Sequence, residues 1–204
     1  MTIETASVSG PLLVEYARIP IAFEVRSVLS ATGDSGGSLL QTERAVEHPY
    51  VKDYDAISVR PPEWPIRFDT AQWVLFLARV NDQRVGGATV AYRTADLDML
   101  EGRDDLAVLW DIRVLPSFRR QGVGRRLFDV AERWALAQGC RELKIETQNV
   151  NVAACRFYAA LGCELRVVRH DAYPDCPGEA QLLWYKPLKG SRQADDPALP
   201  RLRQ

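Results

Sequence analysis

The run from Leu109 to Gly139 is the part of this chain that most limits what it can fold into. Leu109-Trp110-Asp111-Ile112-Arg113-Val114 reads as an apolar strand, and Pro116 marks a turn. Arg119-Arg120-Gln121-Gly122-Val123-Gly124 comes next. After it Leu127, Val130, Ala131, Trp134 and Ala137 recur at helical spacing until Gly139 stops the run. Two glycines let the backbone pass close to a ligand. The amides that open a helix have no internal partner, and the helix dipole adds partial positive charge there. Arg119, Arg120, Arg125 and Arg126 surround those amides with fixed charge. The stretch reads as a site for a phosphorylated ligand, built mostly from main chain.

Two common phosphate loops do not fit. A Walker A loop needs Gly, four residues and then Gly-Lys-Ser/Thr, and the chain has no such run. A dinucleotide fingerprint needs a third glycine, where Leu127 stands instead. Glu146 ends the next strand at about the distance of a ribose-binding acid, so the missing glycine alone carries that exclusion. The remaining pattern, Arg-x-x-Gly-x-Gly between a strand and a helix, resembles the pyrophosphate loop of the GNAT superfamily of acyl-CoA N-acyltransferases. A second stretch is also similar to that family. Glu142 to Thr147 reads as a strand, and Val152 to Leu161 reads as a helix closed by Gly162. Asn151-x-x-x-Cys155-x-Phe157-Tyr158-x-x-Leu161-Gly162 matches the second GNAT signature. Together the two motifs cover Val108 to about Val168. Within the superfamily the chain looks like the streptothricin acetyltransferase group. That likeness is carried by His48-Pro49-Tyr50-Val51-Lys52-Asp53-Tyr54-Asp55, by Glu146-Thr147-Gln148 with Asn151, by Ala154-Cys155-Arg156-Phe157-Tyr158 and by Leu183-Trp184-Tyr185.

The resemblance implies an α/β (α+β) GNAT fold: a central mixed, mostly antiparallel twisted sheet with a splayed parallel strand pair and flanking helices. A chain of 204 residues suffices for one such domain with a buried core. Residues 1–188 are expected to form it, and 189–204, polar and with two prolines, to be a loose tail. A net charge of -1 offers no global field for nucleic acid or membrane, so neither is expected as a partner. No apolar run is long enough for a membrane span, and no secretory signal is visible at Met1-Thr2-Ile3-Glu4-Thr5. Cys140, Cys155, Cys163 and Cys176 show no metal spacing with His48 or His170, so no metal is expected. Their pattern suits a reducing cytoplasm. Oligomeric state is not readable, and a homodimer stays open.

Along the rest of the chain, Leu12 to Ala17 is expected as a first strand and Phe23 to Leu29 as a second extended or helical piece. Thr32 to Ser38 reads as a loop, and 41–69 as an irregular arm with Pro49, Pro61, Pro62 and Pro65 preventing a long helix. Trp73 to Val80 and Val85 to Tyr92 read as a hairpin turning at Asn81-Asp82-Gln83. Leu97 to Asp105 is either a solvated acidic loop or a rim that attracts a cation, and Ala180 to Leu188 is a final strand.

The chemistry that the resemblance implies moves an acetyl group from acetyl-CoA to an amine. An alkylammonium with a pKa near ~10 must lose a proton before it can attack. The thioester oxygen needs donors, and the departing thiolate needs an acid. The implied coenzyme contacts are Ile112, Arg113 and Val114 on the strand, of which Ile112 and Val114 would pair by main chain with the pantetheine arm. Arg119, Arg120, Gln121, Gly122, Val123, Gly124 and Arg125 in the loop would hold the pyrophosphate, and Asn151 completes the set. Tyr158 is the candidate general acid; its plain alternative is a core aromatic of an amphipathic helix. Asn151 also suits a helix cap. Glu146 precedes Tyr158 by twelve residues, a spacing shared with members that acetylate α-amino groups, and is the leading base, acting through water or by binding the cation. Its alternative is a charge-paired strand residue. Asp111 is the second base candidate, or else orients Arg113. Trp64, Trp73, Asp53, Asp55 and Glu63 are candidates to line an acceptor pocket. The expected acceptor is a small cationic amine, such as a streptothricin-type antibiotic. A protein N-terminus or lysine is the second reading, and a coenzyme-binding sensor without catalysis the third.

Overall fold

Alternation and helical spacing divide the described residues into nine strands and five α-helices. The structure is a computed structural model and describes residues 1–32 and 40–188; the expected 189–204 tail and most of the 32–38 loop lie outside them. The strands are β1 (Thr2–Ser7), β2 (Phe23–Thr32), β3 (Leu40–Lys52), β4 (Val74–Val80), β5 (Gln83–Ala91), β6 (Leu106–Val114), β7 (Glu142–Gln148), β8 (Glu164–Arg169) and β9 (Gln181–Pro187). The helices are α1 (Gly10–Tyr16), α2 (Tyr54–Ile57), α3 (Trp64–Arg67), α4 (Val123–Ala137) and α5 (Val152–Ala160). Seven strands form one sheet in the order β1-β4-β5-β6-β7-β9-β8, while β2 and β3 pair separately. Only β6 and β7 run parallel; every other neighbouring pair in the sheet is antiparallel. This is the mixed, mostly antiparallel sheet that the motifs implied.

The turn between β4 and β5 uses Asn81 and Asp82 with φ of 48° and 62°. Two consecutive left-handed residues match the twist of a tight hairpin, and Asn and Asp tolerate that region. One face of the sheet is covered by α4 and α5, through Leu127, Phe128, Ala131, Val152, Cys155 and Tyr158. The other face packs against α1 and the segment holding α3, through Leu13, Tyr16, Trp64 and Trp73. Tyr16 lies close against β5 because Gly87 has no side chain; a Cβ there would come within 2.6 Å of the Tyr16 ring.

Three expectations are corrected. Leu12 to Ala17 is not a strand but most of α1, where Pro11 fits the first turn and Leu13 and Tyr16 are buried three residues apart. The true first strand, β1, is an edge strand that buries little, so its polar residues hide it. The arm at 41–69 is not irregular throughout. Its first part is β3, and the register moves from Val25↔Tyr50 to Ser27↔Ala45, so Pro49 falls in the interruption where no ladder bond is needed. Leu97 to Asp105 is more than a solvated loop: Leu97 and Leu100 are buried, Glu101 receives Lys144 Nζ at 2.7 Å, and Asp105 receives Arg103 at 2.8 Å.

Candidate active site

The parallel pairing of β6 and β7 runs only from Leu106↔Glu142 to Leu109↔Ile145. Beyond it β6 continues against β5 alone and β7 against β9 alone, so the two strands part. Val90 pairs with Leu109 and Thr89 with Asp111, which leaves Trp110 as a bulged residue at the point of parting. A bulge bends its strand and tightens the local twist. The Leu115 N–H bonds to the Val85 carbonyl at 2.8 Å, toward β5. Main-chain groups alternate along a strand, so those of Ile112 and Val114 face the opening and those of Arg113 face β5.

At the end of β6 the chain turns into the glycine loop. Arg119 Nε donates to the Val114 carbonyl at 3.0 Å, and its NH2 reaches the carbonyls of Ala22 and Pro20 at 3.2 and 3.4 Å. Arg120 and Gly122 both have left-handed backbones, with φ of 63° and 83°. Gln121 donates its side-chain amide to the Ser117 carbonyl at 2.8 Å. The first helical bond of α4 runs from Arg126 N to Gly122 O, so the amides of Gly122, Val123, Gly124 and Arg125 have no helical acceptor. No side chain caps them, and the first turn holds no acid. Arg120, Arg125 and Arg126 are exposed around them, while the Val123 side chain is buried in the core. A Cβ on Gly124 would sit 3.5 Å from the Phe157 ring, which places α5 beside the start of α4.

Helix α5 begins straight after β7. Asn151 caps it, its Oδ1 accepting from Ala154 N at 3.1 Å. Tyr158, one position on from Phe157, is buried against Phe128 and Phe157. Burial first, and the nearby Cys163 and Asp111, push its phenol well above the usual range, so it is a protonated donor at neutral pH. Glu146 lies on β7 just past the last parallel pair and is exposed, and its Oε1 accepts from the Tyr173 hydroxyl at 2.6 Å. Tyr173 stays protonated because burial and the Glu146 charge both raise it.

Asp111 and Arg113 are otherwise engaged. Arg113 reaches Asp111 at 2.9 Å and Asp55 at 2.7 Å, and Asp111 also accepts from the Tyr16 hydroxyl. Burial disfavours the Arg113 charge, but Asp111 and Asp55 outweigh it and hold the guanidinium protonated. Asp111 is therefore placed to orient Arg113, with both oxygens taken. The residue Arg113, expected among the coenzyme contacts, is 3% exposed, and its guanidinium is held in this ion network. The five residues proposed for an acceptor pocket also scatter. Trp64 and Trp73 are core residues, Asp53 caps α2, Asp55 binds Arg113 and Glu63 is exposed.

Residues 40–163 match the Acetyltransferase (GNAT) family. The chain belongs to that family. Aminoglycoside N(6')-acetyltransferase type 1 of Salmonella typhimurium is 34% identical over 91 residues, 44% of this chain and 61% of that protein. Streptothricin acetyltransferase A of Bacillus subtilis is 35% identical over 81 residues, 39% of this chain and 47% of that protein. The chain thus spans less than two thirds of the length of either relative. In structure, the GNAT chain is similar to a Bacillus anthracis protein described as a streptothricin acetyltransferase and solved in complex with acetyl coenzyme A. The TM-score is 0.70 at 23% identity, over 93% of this chain and 99% of that one, a likeness of fold.

Other groups of this GNAT domain were not singled out from the sequence. Lys52, at the end of β3, is buried against Glu179 at 2.5 Å, and Tyr54 opens α2 beside Asn151. Tyr173 and Glu179 both lie between β8 and β9. Lys52 and Tyr54 stand inside the 48–55 run that carried the subgroup resemblance, which was their one signal. Lys52 meets Glu179 across 127 residues, a pairing that no local pattern announces.

Proposed function

We propose that residues 1–188 act as a single acetyl-CoA-dependent N-acetyltransferase domain that acetylates a primary amine of a small cationic molecule, of the streptothricin kind. The observation that supports this is the parting of β6 and β7 beside the uncapped start of α4, with Glu146 just past the last parallel pair and Tyr158 on the neighbouring helix α5. In this reading the pantetheine arm pairs with the main-chain groups of Ile112 and Val114 that face the opening, as an added strand. The amides of Gln121 to Arg125 hold the pyrophosphate, with Arg119 and Arg120 adding charge. The acceptor loses a proton to Glu146 through water, and its nitrogen lone pair attacks the thioester carbon. The C–S bond breaks with its electron pair going to sulfur, and Tyr158 donates to the thiolate as charge develops. The products are the acetamide and free CoA; of the two protons the nitrogen gives up, one passes through Glu146 and water to solvent and the other restores the Tyr158 phenol.

The small-acceptor reading is preferred over a peptide acceptor because the β8–β9 connection crosses to the β2–β3 hairpin and is fastened there by Glu179 and Lys52. A peptide needs an open groove at that place. Cytoplasmic residence belongs to the same reading, since Cys140, Cys155 and Cys163 are buried free thiols and Cys176 is also unpaired. The test follows CoA release with a thiol reagent over a panel of amines that includes streptothricin, an aminoglycoside and a peptide N-terminus. Turnover confined to small cationic amines is expected. Turnover of the peptide alone overturns the acceptor class, and tight acetyl-CoA binding with no turnover leaves a sensor instead.

A further inference from the structure

Gln148 lies two residues beyond Glu146 on β7, so both side chains leave the same face of the sheet. Gln148 is 7% exposed, and its Oε1 is buried without a hydrogen-bond partner among the described residues. The Tyr54 hydroxyl is buried and unpartnered in the same way. It lies near Asn151 and within the field of Glu179 and Glu146, and burial is the main cause that holds it protonated. Tyr173 joins these groups: it donates to Glu146 Oε1 and lies beside Gln148 and Tyr54. Buried polar atoms are nearly always paired in folded proteins, so two orphans next to an exposed carboxylate call for a missing partner that brings donors. The Gln148 oxygen only accepts, the Glu146 carboxylate only accepts, and a phenol oxygen can accept. A primary ammonium offers three N–H groups and one positive charge, which matches that set in number and in sign.

We propose that Tyr54, Gln148 and Glu146 form the subsite for the acceptor's reacting primary ammonium, and that Tyr173 is the positioning residue that aims the Glu146 carboxylate into it. This rests on the acetyl-transfer reading above and adds the groups that select the amine. The surrounding braces keep the set together. Asn149 accepts from Ala180 N at 2.8 Å and donates to the Leu29 carbonyl at 3.1 Å, so the end of β7, the β8–β9 connection and the hairpin are tied at one residue. Glu179 is neutralised by Lys52, which leaves Glu146 as the carboxylate without a salt-bridge partner among the described residues of this cluster.

The experiment measures kcat, amine KM and acetyl-CoA KM for the wild type, Tyr54→Phe, Gln148→Leu and Tyr173→Phe. Calorimetry of streptothricin and 1,5-diaminopentane binding to the CoA-saturated protein is run alongside. Loss of one hydrogen bond to a charged group raises the amine KM and Kd about tenfold in Tyr54→Phe and Gln148→Leu. The acetyl-CoA KM stays within about twofold, since the donor site is untouched. Tyr173→Phe frees the Glu146 carboxylate from the donor that aims it, so its kcat falls and its amine KM rises while the acetyl-CoA KM holds. Unchanged amine affinity with coenzyme affinity retained overturns the subsite, as it would if the orphans serve only water. An equal loss of coenzyme affinity, or a wild type that binds neither probe, also overturns it. A wild type that binds a probe but releases no CoA sinks the transfer reaction and leaves the subsite standing, because the calorimetry does not depend on turnover.

Discussion

Replacing Tyr158 by phenylalanine removes one hydroxyl from a ring already packed against Phe128 and Phe157. The packing is kept, so the change isolates the proton donor. The expected result is a fall in kcat of about tenfold or more with the acetyl-CoA Kd unchanged, measured by steady-state kinetics and calorimetry. Gly124→Asp acts at the start of α4. Its Cβ has room, 3.5 Å from Phe157, but a carboxylate would stand among free amides where an anion has to bind. Acetyl-CoA affinity should drop about tenfold or more, and an unchanged affinity would remove the loop from the binding site. Both residues were singled out in the sequence because each sits in a short motif with fixed neighbours. Tyr173 and Glu179 were not, since they belong to a connection without periodicity and act only through distant partners. The bond from Arg113 to Asp55 was not legible either, because the motif neighbours of Arg113 gave no sign of a partner from another part of the chain.

Strand β6, helix α1 and helix α2 meet at one buried ion network. The Arg113 side chain is 2% exposed, Asp111 7% and Asp55 16%. Arg113→Met would leave two carboxylates facing each other without their cation. Removing one partner of a buried pair typically costs about 3–5 kcal/mol, so urea unfolding should show a loss of that order. A loss below about 1 kcal/mol would mean that water reaches the site and screens it. Helix α4 and the β4–β5 hairpin were legible because a long apolar stripe and a two-residue turn are local signals. Helix α1 was mistaken for a strand because seven residues hold only two buried positions, too few to separate a helical period from alternation. Strand β3 was hidden by Pro49, which the hairpin accommodates at its register shift.

Across the whole molecule, the mixed direction of the sheet followed from the family motifs rather than from any single element. A half-buried ion network ties the start of β7 to its surroundings. Glu142 receives Arg166 at 2.5 Å and Arg103 at 2.9 Å. Burial opposes the Glu142 charge, but Arg166 and Arg103 outweigh it and hold the carboxyl below its usual range. With the folded value depressed, the network stabilises the protein fully above about pH 4.3 and loses that contribution as pH falls through the folded value. The melting temperature of Glu142→Gln should therefore lie below that of the wild type at neutral pH, and the gap should close in acid. A gap independent of pH would show that packing, not charge, holds the strand.

Trp110 has a wider effect than its own contacts with Phe68 and Trp73. As a surplus residue in β6, it inverts the phase of everything downstream. Val108 and Trp110 face the α1 layer, yet so do Asp111 and Arg113, while Ile112 and Val114 turn toward α4. The same strand paired to β5 without the bulge, with Trp110 taken into the ladder, would keep the upstream alternation. Arg113 would then turn toward the α4 layer, and the main-chain groups of Ile112 and Val114 that now face the opening would be spent on β5.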